Sequence, residues 1–168
     1  QELLALQSHL KAAAARDQGL LIDEIVPILL PDGELLDADG CIRPATTLEA
    51  LAGLKPAFKP DGVVTAGTSS PLTDGAAAVL VTRDDFAERH GLQALARIRS
   101  FATVGVDPAI MGIGPIPATR KALDRAGWKA ADVDLFELNE AFAAQACAVN
   151  QDLGIDTAKV NVNGGAIA

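Results

Sequence analysis

Near the start of the chain Leu3, Leu6, Leu10 and Ala14 recur at helical spacing, with Gln7, His9, Lys11 and Arg16 between them and Gly19 as the stop. This predicts a helix that buries one leucine-lined face. Asp23 to Leu30 reads as a strand, followed by turns at Asp32-Gly33 and Asp39-Gly40 and an exposed hairpin or loop from Gly33 to Gly40. Thr46 to Leu54 reads as a short helix begun by a threonine cap and ended near Pro56. Val63-Val64-Thr65 looks like a strand running into the loop Gly67-Thr68-Ser69-Ser70-Pro71. Gly75 to Thr82 is a continuous run of small apolar residues, the pattern of a strand covered on both faces.

A short helix follows, started by Arg83-Asp84-Asp85 and closed by Gly91, and then a strand from Ala96 to Val104. Ala118 to Gly127 is a helix preceded by Pro115 and Pro117 and ended by its glycine. Asp132 to Leu138 reads as a strand, Glu140 to Leu153 as a small-residue helix ended by Gly154, and Lys159 to Val162 as a last strand. From Ala96 onward the order is β-α-β-α-β, which predicts a layered α/β sheet with right-handed crossovers. The chain opens at Gln1 already in a helical pattern and stops at Gly164-Gly165-Ala166-Ile167-Ala168 just after an apolar strand, as a segment of a longer protein would.

The 168 residues are 49% hydrophobic and 21% charged, a folding composition that sets aside disordered and fibrous classes. A formal charge of -8 argues against a general nucleic-acid surface, though a local basic pocket remains open. No apolar stretch approaches the roughly 20 residues of a membrane-spanning helix. Cys41 and Cys147 lie far apart with no Cys-x-x-Cys pairing and no nearby histidine, so neither a zinc site nor a disulfide framework is indicated, and the cytoplasm or an organelle matrix fits.

The candidate chemistry sits at strand-to-helix junctions. In Leu138-Asn139-Glu140-Ala141-Phe142-Ala143, two polar residues follow a strand, where open α/β sheets bind ligands. Asn139 offers amide donors for a water or a developing oxyanion, and Glu140 a carboxylate that satisfies backbone donors or orients a neighbour. Both are also ordinary helix-start residues. The loop from Thr65 to Gly75 combines small side chains, hydroxyls and backbone donors, either to let an extended ligand lie against the backbone or as a tight polar turn. Gly112-Ile113-Gly114-Pro115 matches neither dinucleotide nor Walker pattern. Gly164-Gly165 is either a close backbone approach or, more simply, a glycine turn. His9, His90, Cys41, Cys147 and Met111 each have a plain structural reading.

Taken together, these segments resemble the thiolase family of acetyl-CoA C-acyltransferases from end to end. The resemblance is carried by Asp23-Glu24-Ile25-Val26-Pro27, Arg43-Pro44, Thr46 to Leu51 and Leu54-Lys55-Pro56-Ala57-Phe58. It continues through Val64 to Ser70, Asp74 to Ala77, Met111-Gly112, Gly114 to Ala118, Asn139 to Ala143 and Asn161 to Ala168. It implies a five-layer α/β/α/β/α fold, of which this chain holds an incomplete set of strands. Residues 1–70 would be the later part of a CoA-covering loop domain, 71–91 the end of the N-terminal domain, and 92–168 the first part of the C-terminal one.

The resemblance also implies thiolysis of a 3-ketoacyl-CoA, or the reverse Claisen condensation of two acyl-CoAs, through an acyl-cysteine and with no metal or prosthetic group. Coenzyme A would be a substrate, and the whole protein a homodimer or homotetramer. Asn139 would hold the water that helps bind the thioester oxygen. Arg43 and Phe58 would meet the CoA nucleotide, Ala66, Gly67, Ser70 and Leu72 the pantetheine, and Met111, Ala141 and Phe142 the acyl chain. Local physics agrees: arginine suits a phosphate, small residues a narrow arm, and apolar residues an acyl group.

The departures are as specific. The family's early nucleophilic cysteine, its histidine in Gly-His-Pro and its late second cysteine are all missing from these residues, and Ala50 stands where some members have a polar CoA contact. The segment alone is expected to be inert, poorly stable or aggregating. Three readings follow: a thiolase with either broad-range or acetoacetyl-CoA preference, a non-catalytic CoA-binding relative, and a truncated piece that serves only assembly.

Overall fold

A computed structural model describes all residues, 1–168. Its helices form where capping and stop residues mark them. Helix α1 covers Glu2–Asp17, with Gly19 in the left-handed conformation just beyond. Helix α2, Leu48–Ala52, starts from Thr47, whose Oγ1 accepts the Ala50 N–H at 3.1 Å. Helix α3 is Asp84–Arg89, closed at Gly91. Helix α4, Pro115–Ala126, begins three residues before the expected Ala118, because Pro115 and Pro117 sit within its first turn, where no N–H is needed, and Gly127 at φ 71 stands behind it. Helix α5, Ala143–Leu153, ends on Gly154 at φ 61. It begins three residues later than the pattern predicts, because Phe142 is still extended at φ -143 and ψ 139.

The strands depart furthest from expectation. Only β1, Ile28–Leu29, and β2, Leu35–Leu36, form a ladder, an antiparallel hairpin turned at Asp32-Gly33 in the register Ile28 with Leu36 and Leu29 with Leu35. The predicted strand Asp23–Leu30 thus shrinks to its last part. Val63–Thr65 reduces to one antiparallel bridge between Thr65 and Pro56, and the pair Asp132–Leu138 and Lys159–Val162 to one parallel bridge between Phe136 and Val160. Gly75–Thr82, predicted to be covered on both faces, is exposed throughout, with Val79 87% exposed and no partner strand. Ala96–Val104 is likewise unpaired, and is tied down where Ser100 donates to the Ala122 carbonyl, Arg125 to the Phe101 carbonyl, and Arg97 pairs with Asp84 at 2.6 Å. A strand exists through its neighbours' hydrogen bonds, and no other segment of this chain runs beside these two.

The core is small. Ala5, Leu51, Ala143 and Ile167 meet at its centre, with Leu4 and Leu6 packed against them, so that α1, α2, α5 and the last residues converge. The buried face of α1 is not the predicted leucine stripe: Ala5, Ser8, His9, Ala13 and Ala15 are inside, while Leu3 and Leu10 are exposed. Small residues win because backbone comes so close. A Cβ on Gly164 would lie 2.6 Å from the Ala12 Cβ and 2.8 Å from the Ser8 carbonyl, which leaves no room for a leucine there.

A compact protein of this mass exposes roughly 7,800 Å². This chain exposes 12,210 Å². The excess is rich in apolar side chains, including Val79, Leu80 and Val81 in one unpaired run and Ile98 and Phe101 in the other. Expressed alone, the 168 residues should bind a hydrophobic reporter dye, melt over a broad range and be cut first by protease within 71–82 and 92–107. A soluble monomer with one sharp, dye-silent transition would contradict that expectation.

Candidate functional site

The Asn139 junction is built by a side chain acting as a strand. The bridge between Phe136 and Val160 brings Asn161 beside Leu138, and there the backbone ladder stops. Asn161 continues it with its amide: Oδ1 accepts the Leu138 N–H at 2.8 Å and Nδ2 donates to the Leu138 carbonyl at 2.8 Å. To reach this position Asn161 adopts φ 45, the left-handed region that asparagine tolerates better than other residues with a Cβ.

Next along the chain, Glu140 is 4% exposed and carries a carboxylate into the interior. An isolated buried charge is costly, and it persists here because donors surround it. Ser8 Oγ donates to Oε2 at 2.7 Å, the Ile167 N–H to Oε2 at 3.2 Å, and Asn161 Nδ2 to Oε1 at 2.9 Å. Ser8 Oγ in turn accepts the Gly165 N–H at 3.0 Å. A Cβ on Gly165 would overlap the Glu140 carboxyl group itself. Gly164-Gly165 is therefore a close approach as well as a left-handed turn, with Gly164 at φ 89.

His9 lies beside this network, 5% exposed, and its Nδ1 accepts the Arg43 N–H at 3.2 Å. Burial first, and the Arg43 charge second, push its pKa below the ordinary 6.5, with Glu140 opposing. The neutral ring is the form that can accept through Nδ1.

The loop after Thr65 closes on its own hydroxyls. Thr68 Oγ1 accepts the Thr65 N–H at 2.9 Å, and Ser69 Oγ donates to the Thr65 carbonyl at 2.8 Å. A Cβ on Gly67 would lie 2.6 Å from Leu51 Cδ2 and Leu54 Cδ1, so those side-chain ends would have to shift. The loop then docks on the junction: Ser69 bridges Phe142, and the Ser70 N–H donates to the Ala141 carbonyl at 3.0 Å. Phe58 meets Phe142 edge to face, with ring centroids 6.0 Å apart.

Of the residues expected from sequence, the structure thus gathers Phe58, Ala66, Gly67, Ser70, Ala141 and Phe142. Met111, highly exposed, belongs to a 3-10 segment that lies against α5, where a Cβ on Gly112 would come within 3.2 Å of the Gln145 side chain. Leu72 is fully exposed just past the loop, and Asn139 is exposed between Leu138 and Glu140. Arg43 is fixed from α1 through His9, with its side chain in solvent. A cleft of about 670 Å³ opens between α1 and α5 beside the Glu140 network, lined in part by Ser8, Leu138, Glu140 and Asn161, whereas Phe58, Ser70, Asn139 and Phe142 do not line it. No cluster of His, Cys, Asp or Glu is arranged to hold a metal, and no helix is long and apolar enough to cross a membrane.

Sequence reading missed Ser8, Asn161 and Gly165 as partners of Glu140. Each is too ordinary in type, and too distant along the chain, to signal the others.

Comparison with known proteins identifies the family. Residues 1–85 match the N-terminal domain of thiolase and residues 92–168 the C-terminal domain. The chain belongs to the thiolase family. An acetyl-CoA acetyltransferase of Paracoccus denitrificans is 58% identical over the whole chain, which spans 44% of that relative's length. The human mitochondrial 3-ketoacyl-CoA thiolase solved in complex with CoA superposes with a TM-score of 0.96 at 48% identity, over 99% of this chain and 42% of its own. The dimeric peroxisomal thiolase of Saccharomyces cerevisiae gives 0.97 at 48% identity, over 99% of this chain and 43% of its own. The chain therefore follows a partial thiolase fold, and its exposed extended segments trace the path they take in those structures.

Two expectations follow. Because folded His9 has a lowered pKa, acid loads a proton onto the unfolded state first. Stability should fall as pH drops through about 6.5 toward the folded value, and His9→Gln should flatten the pH profile of the melting temperature between about pH 7 and 5. Gly165→Ala should cost about 1–3 kcal/mol by crowding Glu140, read by denaturant unfolding of the full-length protein.

Proposed function

We propose that the protein containing this chain is a thiolase-type acyl-CoA C-acyltransferase. It cleaves a 3-ketoacyl-CoA with coenzyme A to acetyl-CoA and a shortened acyl-CoA, or runs the reverse Claisen condensation of acetyl-CoA. The observation that carries this reading is the docking of the small-residue loop, Ala66 to Ser70, on the Asn139–Phe142 junction, within a chain 58% identical throughout to an acetyl-CoA acetyltransferase.

Each role fits its residue. The Asn139 amide is exposed beside the docked loop and holds a water toward the thioester oxygen, where negative charge develops as the carbon–carbon bond breaks. Ala66, Gly67, Ser70 and Leu72 offer a narrow, backbone-lined path for pantetheine. Phe58 and Arg43 present an aromatic face and a guanidinium to the nucleotide end, and Met111, Ala141 and Phe142 an apolar wall to the acyl chain. Neither half-buried cysteine, Cys41 or Cys147, stands in a cysteine motif of the family, so the acylated nucleophile belongs to residues outside 1–168, and this segment alone turns nothing over. Coenzyme A is a substrate, and no metal or prosthetic group takes part.

In domain terms, residues 1–70 belong to a loop domain over the CoA, 71–91 complete the N-terminal domain and 92–168 begin the C-terminal one. The whole protein is a homodimer or homotetramer of the cytoplasm or an organelle matrix.

Thiolysis by the full-length protein, measured over a ladder of 3-ketoacyl-CoA lengths, tests this. Asn139→Ala should lower kcat about 10²–10³-fold, the cost of one oxyanion donor. Absence of thiolysis at every chain length would refute the assignment.

A further inference from the structure

Asn139 itself is exposed, yet the residues on either side are among the most tightly held in the chain. Leu138 has both backbone groups taken by the Asn161 amide. Ala141 has its carbonyl taken by the Ser70 N–H. Between them Glu140 reaches inward and is gripped from three directions of the sequence: Ser8 on α1, Asn161 after the last bridge, and the Ile167 N–H at the end of the turn. Rotation at Asn139 would have to drag this carboxylate out of all three hydrogen bonds.

We propose that Glu140 is a positioning residue for Asn139. Its buried carboxylate, anchored by Ser8, Asn161 and the Ile167 amide, fixes the backbone from which the Asn139 amide is presented to the reacting oxygen. This rests on the thiolase reading above and adds a role that the Asn139 carry-over does not contain. The donors are arranged for a carboxylate and not for an amide. One oxygen receives two donors and the other receives the Asn161 NH₂, so a glutamine in either orientation sets an NH₂ against a donor. Ser8 adds reach, because the same hydroxyl that donates to Glu140 accepts the Gly165 N–H and so ties α1 to the turn.

The test uses the full-length protein and the pair of variants Glu140→Gln and Ser8→Ala, each also made in an Asn139→Ala background. Misplacement of a catalytic group by a fraction of an ångström lowers kcat, so Glu140→Gln should lose about 10- to 100-fold in kcat and Ser8→Ala less, with KM for CoA within about twofold. In the Asn139→Ala background neither should cost anything further, since a residue acting through Asn139 has nothing left to position. Equal losses in both backgrounds would make the role merely structural, a raised KM with kcat unchanged would make it one of binding, and an unchanged kcat in Glu140→Gln would end it; each overturns the proposal.

Hydrogen exchange over residues 138–142 decides the matter even if the wild-type protein shows no thiolysis, an outcome that would refute the function separately. Faster exchange confined to that window in Ser8→Ala and Glu140→Gln supports positioning. Unchanged exchange overturns it.

Discussion

The structure depends on one buried negative charge being met by donors from three distant parts of the chain. Glu140 is fully met only when Ser8, Asn161 and Ile167 surround it. The loop between Ser8 and Glu140 alone spans 132 positions, a closure that costs about 4 kcal/mol in chain entropy before any contact is made. A lone carboxylate would not repay that. It is repaid collectively by the apolar contacts beside it, where Ala5, Leu51, Ala143 and Ile167 meet one layer away. The carboxylate then supplies what an apolar core cannot, a unique register among α1, the Asn139 junction and the glycine turn.

That register explains the choice of small residues around it. Gly164 and Gly165 stand where backbone meets α1 or the Glu140 carboxylate, and an added Cβ collides. Gly67 plays the same part on the other side, under Leu51 and Leu54. The candidate site is thus lined with backbone rather than with bulky side chains, a surface suited to an extended, flexible arm. Chemistry-bearing groups such as Asn139 project from a rigid base instead of from a mobile loop.

The helices were legible because their limits are local. Thr47, Pro115, Gly127 and Gly154 act within one turn of themselves, and each end falls where its residue type requires. Strands were not, since Gly75–Thr82 and Ala96–Val104 have a strand's composition but no neighbour among these residues to pair with. The face of α1 was misread for a related reason: the leucines announce hydrophobicity, whereas distance between backbones selects alanine, serine and histidine. At the site, the junction and its docking loop were visible as motifs. The partners of Glu140 were not, because a serine, an asparagine and an amide carry no mark of a shared acceptor.

The contacts that seat α1 also govern when it can fold. Its Lys11 reaches the Val160 carbonyl, 149 positions away, and its Ser8 the Gly165 N–H, 157 positions away. During synthesis α1 therefore emerges well before the part of the chain that fastens Lys11 and Ser8. It must wait through most of this chain's translation for these two bonds, and among residues 1–168 Leu3 and Leu10 stay exposed even afterwards. Contacts this distant fold slowly and leave sticky intermediates in the interval. A sixteen-residue helix made early in this stretch is thus among the last parts of it to be secured.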